Sequence, residues 1–275
     1  HSPDAENDLA VLHDPDNAVR SVSSNVTVSY TLKQDVSSAS MQFVAADGTV
    51  VATNTLPSKA GSGTTTWNLR YPDAVGFPGL VYWSATDQGP KAPLGSYTVR
   101  LVVNGQPLQQ SFGILKDSRL THVTDADIAA QFQLDLAVRN DTNDANQDVT
   151  NIRACTAQVD DRVAAANDPA VTQAGTSLNN KLNAVQNELY QTKLQVSEDP
   201  LNFGIKLNNR IASLHSVIES VDGRPTDQTS QVFDELNAQL QTQLQKLRTT
   251  VGTDVPSFNQ LIASHGQAPI SCSAA

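Results

Sequence analysis

The period of the apolar pattern changes once along this chain, near residue 118, and that change constrains the fold more than any other feature. Upstream, apolar and polar residues alternate; downstream, apolar residues recur every three or four positions. A period of two suits a strand with one buried face, and a period near 3.6 suits a helix with one buried stripe. The two patterns call for different layers, so the expectation is an all-β part followed by an all-α part. The 275 residues fit two domains of ordinary size, each able to bury a core.

Seven short strands are legible in the first part. Val26, Val28, Tyr30 and Leu32 alternate with Thr27, Ser29 and Thr31, and Met41, Phe43 and Ala45 repeat the pattern. Asp47-Gly48 marks a hairpin turn with a return strand from Thr49 to Thr53. Trp67 and Leu69, the apolar run Leu80 to Ala85, Tyr97 to Val103, and Leu108 to Ile114 supply the rest. Asn104-Gly105 is a strong hairpin signal, because a type I′ turn needs positive φ at both central positions. These strands predict an immunoglobulin-like β-sandwich over 20–118, with 1–19 as a linker or N-terminal extension. Pro and Gly crowd 71–95, which reads as a long ordered loop covering one end of the sandwich. Trp83, inside the apolar run, is expected in the core.

Four apolar stripes follow. They run from Ala145 to Val163, Leu178 to Val196, Leu207 to Val221 and Phe233 to Val251. Asn167-Asp168-Pro169, Asp199-Pro200 and Asp222-Gly223-Arg224-Pro225 interrupt them with turn and cap chemistry, and Thr124 to Asp127 starts the first helix. The expectation is an antiparallel four-helix bundle over 119–265 with a C-terminal tail over 266–275.

The chain carries 18 basic and 28 acidic residues, a net charge of −10, so a basic nucleic-acid footprint is missing. No apolar run approaches about 18 residues, so no membrane-spanning helix is expected. The start, His1-Ser2-Pro3-Asp4, lacks a basic and apolar leader and reads as an internal fragment or a processed form. From residue 119 onward Asn and Gln supply 30 of 157 residues against 11 Lys and Arg. That amide-rich surface reads as compositional drift.

Chemistry-bearing patterns are sparse. The five histidines (His1, His13, His122, His215, His265) are dispersed, with no HExxH or HxH pair for zinc. His215, beside Leu214, reads as flanking the core. The run Asp141 to Asn146 departs from a calcium loop at positions 5, 6 and 12 and reads as a polar patch in the first helix. Asp160-Asp161 are adjacent and point apart. No catalytic residue, metal site or cofactor is expected. Tyr71, Tyr82 and Trp83 in the Pro/Gly-rich stretch are the candidate ligand platform, with carbohydrate as the ligand class.

Cys155 and Cys272 are too far apart for a CxxC motif, which leaves a disulfide or two thiols. Cys155 flanks the first helical stripe. Cys272 lies ten residues beyond Ile262, in a tail that would fray unless tied down. Ten extended residues reach about 33 Å at roughly 3.3 Å each, so the tail can return to the first helix. A Cys155–Cys272 disulfide is therefore expected, and with it an oxidising compartment.

A family resemblance adds to this reading. Thr66-Trp67-Asn68-Leu69-Arg70-Tyr71-Pro72, Phe77-Pro78-Gly79, Gly89-Pro90-Lys91-Ala92 and Gly95 to Leu101 resemble the C-terminal sandwich of secreted bacterial sortilin-like or BNR-repeat glycosyl-hydrolase-like proteins. Glu188 to Lys193, Asp199 to Phe203 and Lys206 to Arg210 resemble that family's helical tail. The resemblance implies a β-propeller before this region and places any hydrolase activity on it. It implies for this chain a non-catalytic accessory role in assembly, spacing or partner binding. The alternatives are a carbohydrate-binding module and a fragment of a glycoside hydrolase. The expected setting is secreted, periplasmic or cell-surface, with a protein partner or the propeller as neighbour.

Overall fold

The computed structural model describes residues 7–12, 18–20 and 25–275. Two β-sheets come first and a helical region follows. The strands are β1 (Asp8–Leu12), β2 (Ala18–Arg20), β3 (Val26–Leu32), β4 (Ala39–Ala45), β5 (Val50–Thr55), β6 (Gly61–Trp67), β7 (Gly95–Val103) and β8 (Gln106–Leu115). One sheet has the order β1-β3-β6 and the other β2-β8-β7-β4-β5, antiparallel except for the β2–β8 pair. Alternation does what it predicts: Val26, Val28, Tyr30 and Leu32 of β3 are buried and their odd neighbours are not. They share one core with Met41 and Phe43 of β4 and Val99 and Leu101 of β7. Trp67 of β6 stacks on Phe43 at 5.2 Å and meets Tyr97 at 5.5 Å, so the two sheets pack face to face. At the β7–β8 hairpin Asn104 and Gly105 take φ of 48° and 81°, the two positive values that turn demands.

Three features differ from these expectations or add to them. Residues 80–85 form no strand, because their side chains and backbone are engaged by helices instead, as described below. The stretch 1–19 contains β1, which pairs with Thr27 to Thr31 of β3; an edge strand needs an open neighbour, which local sequence does not reveal. The compact units are also discontinuous. One holds the described residues up to 72 with 89–133 and 222–224; the other holds 73–88, 134–221 and 225–275. The middle of the Pro/Gly-rich stretch thus belongs to the helical unit and covers helices rather than the sandwich.

The helices are α1 (Asp125–Ala166), α2 (Pro169–Leu189), α3 (Pro200–Phe203), α4 (Leu207–Ala212), α5 (Leu214–Ile218), α6 (Asp227–Thr249) and α7 (Val255–Ala263). A capping box starts α1: Thr124 Oγ1 accepts from Asp127 N–H, and Asp127 Oδ2 accepts from Thr124 N–H. The Thr124 hydroxyl and backbone N–H, and then Arg224 at 2.9 Å, lower the Asp127 carboxyl to about 2. A folded-state value below the usual carboxylate range stabilises the fold fully above about pH 4, and that contribution fades as pH falls through about 2. An NMR titration should give the Asp127 carboxyl a midpoint near 2, and an ordinary midpoint would refute the capping box.

All four apolar stripes enter one core: Val149 and Ile152 of α1, Leu178, Leu182 and Leu189 of α2, Leu207 and Ile211 of α4, and Leu236, Leu240 and Leu244 of α6. The third stripe is not one helix. It breaks at Ser213, whose hydroxyl bonds the Arg210 carbonyl at 2.8 Å, a local competitor to helix propagation. Val196 and Val221, counted in their stripes by spacing, are 55% and 70% exposed beyond the helix ends. Between α6 and α7 lies a π turn, Thr250–Asp254. Pro256 follows it, and the wider turn accommodates a residue that has no N–H and crowds the preceding carbonyls.

Candidate functional site

The interior of the helical unit holds polar groups that an apolar core does not need. Along α1, Asp135, Thr142, Asn146 and Asp148 are buried, as are Asn208 and Asn209 of α4 and His215 of α5. Five of them belong to two groups with different chemistry.

The first is an amide clamp. Asn146 Nδ2 donates to the Tyr82 hydroxyl and to the Val75 carbonyl, both at 2.8 Å. Asn208 Nδ2 donates to Asn146 Oδ1 at 3.1 Å. Asn209 meets the Trp83 backbone on both sides, accepting from its N–H at 2.6 Å and donating to its carbonyl at 2.9 Å. The Tyr190 hydroxyl joins in, donating to Gly79 O and accepting from Val81 N–H. Phe77 packs edge-on against the Tyr190 ring at 4.9 Å, under the Arg153 guanidinium. A helix surface offers no spare backbone groups, so a non-helical segment docked on it must find partners among side chains. An amide carries a donor and an acceptor at peptide-like spacing, which suits Asn for this task.

The clamp fixes the fate of the three aromatic candidates. Tyr82 is half-buried with its hydroxyl taken, and burial raises that hydroxyl to about 12. Trp83 is held by its backbone and the residue is 38% exposed, which corrects the expectation of a core tryptophan. The reason is that the polar backbone, not the ring, is what the helices recognise. Tyr71 falls in the other unit, where its ring packs against Phe132 at 4.8 Å. Replacing Asn209 with Ala should cost roughly 1–3 kcal/mol, because the Trp83 N–H and carbonyl both lose their partner. Trp83→Ala should cost about 1 kcal/mol or less. Urea titrations that reverse this order would refute the clamp.

The second group is Asp135, His215 and Glu219. Asp135 lies on α1, His215 on α5, and Glu219 one turn further on, at the C-terminal cap of α5. His215 Nδ1 lies 2.9 Å from Asp135 Oδ1. His215 Nε2 faces Glu219 Oε2 at 3.7 Å, longer than a hydrogen bond. The side chains of Asp135, His215 and Glu219 are 1%, 7% and 11% exposed. Asp135 Oδ2 is buried without a hydrogen-bond donor among the described residues. Burial pushes the Asp135 carboxyl up, His215 opposes this, and Glu219 adds to the rise. The i,i+4 spacing of His215 and Glu219 was open to reading in the sequence, but Asp135, 80 residues away, was not.

The cysteines meet as expected. Cys155 and Cys272 form a disulfide with Cα atoms 5.2 Å apart, and Ile270 of the tail enters the helical core. The run Asp141 to Asn146 lies within α1, as a polar patch should. Burial, then Asp144, raises the Asp141 carboxyl to about 6.

Comparison with known proteins finds no matching family and no matching curated protein. Among solved structures the chain is similar to CopC from Methylosinus trichosporium OB3b, with 13% identity over 40% of this chain and 94% of that one, at a TM-score of 0.23. No helix among the described residues is long and apolar enough to cross a membrane.

Proposed function

We propose that this chain is a non-catalytic interaction and spacing region of a secreted protein, binding a protein partner through the turn between α2 and α4. The supporting observation is a group of exposed apolar side chains in an ordered turn: Val196, Leu201 and Phe203 are 55%, 71% and 43% exposed. Asp199 holds the turn by accepting from the N–H groups of Gln195 and Val196, and Gln191 donates to the Phe203 carbonyl at 2.7 Å. Apolar groups fixed in place on a surface lose little entropy when a partner covers them. The disulfide favours an oxidising compartment, hence secretion or a cell-surface location. On this reading the two-sheet unit is an immunoglobulin-like sandwich. The helical unit is an antiparallel four-helix bundle elaborated by short helices, and the partner is the β-propeller that the sortilin-like resemblance implies. Calorimetric titration of such a propeller, supplied as a separate chain, should show binding that weakens at least ten-fold in Leu201→Ser/Phe203→Ser. An absence of binding, or binding indifferent to those substitutions, would overturn the reading.

One observation favours carbohydrate binding as a second reading: the half-exposed Trp83 has a clamped backbone. A Trp83→Ala variant that folds normally yet loses glycan-array signals would favour it over the protein partner.

A further inference from the structure

We propose that Asp135, His215 and Glu219 form a binding site for one divalent first-row transition-metal ion of zinc type. The three residues each offer one ligand atom, and these atoms lie within 4.8 Å of one another. Donors held at about 2.0–2.2 Å from a zinc ion sit roughly 3–4 Å apart, so side-chain adjustments of about an ångström complete the set. The donor chemistry, one imidazole and two carboxylates, suits such an ion.

All three side chains are largely sheltered from water. The orphaned Asp135 Oδ2 is an independent sign, since it is a buried acceptor that no donor among the described residues satisfies. A cation would satisfy it. The exposed edge of Glu219 supplies an entry path, as a metal site on a folded protein requires. Binding would join α1 to the α4–α5 segment, the part of the core built from the shortest helices. This site is independent of the α2–α4 turn and of any partner bound there.

The test uses the full, tag-free chain, stripped with chelator and then exposed to Zn²⁺ or Co²⁺. Expected are about one zinc retained per chain after desalting, a visible d–d band with cobalt, and a melting temperature that zinc raises. Zinc affinity should fall at least ten-fold in His215→Gln and in Glu219→Gln. If His215→Gln does not fold, Glu219→Gln decides, because Glu219 lies at the cluster's exposed edge. A folded wild-type chain that retains no zinc overturns the proposal, and so does zinc retained equally by the folded variants.

Discussion

Opening the Cys155–Cys272 bond should lower the stability of the helical unit by about 4–5 kcal/mol, less whatever native-state strain the bond carries. The sequence separation is 117 residues, and an unfolded chain gains most from losing a constraint of that length. The bond does not act alone. Gln158 pairs with Ser271 in both directions, at 2.8 and 2.9 Å, and Asn259 does the same for Ile270 at 3.0 and 2.8 Å. Arg162 donates to Ala268 O, and Asp148 accepts from Ala275 N–H. The tail is therefore a strap held by side-chain amides along its length and locked by sulfur. In Cys155→Ala/Cys272→Ala, hydrogen exchange across 266–275 should accelerate and the urea midpoint should fall together. A loss below about 1 kcal/mol would mean that the unfolded state already keeps these ends close.

Leu182→Ala and Leu240→Ala should each cost roughly 2–5 kcal/mol. Both side chains are fully buried in the helical core, on α2 and α6. The cost combines lost transfer energy with a cavity whose walls collapse only in part. The spread between the two variants would report how well each site relaxes. Denaturant titration giving losses below about 1 kcal/mol at both would remove the common core of the apolar stripes.

The Asn and Gln residues show how far the sequence could be read. Counted as composition, they resemble drift. In place, Asn146 and Asn209 hold the 73–88 segment, Asn208 braces Asn146, and Gln158 and Asn259 hold the tail. An amide's role depends on whether a backbone arrives opposite it, and no local pattern encodes that arrival. The same reasoning covers Trp83. Its apolar neighbours suggested a buried ring, whereas the helices took the backbone on either side and left the residue half-exposed.

By itself the sequence determined the elements whose physics is local. The period-two stretches became β3, β4, β7 and β8, and the 3–4 spacing became α1, α2 and α6. Asn104-Gly105 became the positive-φ turn, and Thr124 with Asp127 the capping box. Each depends on backbone sterics, periodicity or hydrogen bonds spanning a few residues. Tertiary structure alone decided three things: that residues 73–88 join the helices, that β1 completes the edge of β3, and that Asp135 meets His215 and Glu219. These pairings join groups far apart in the chain, and their energy exists only once the intervening loops have closed, so no window of neighbouring residues carries their signal.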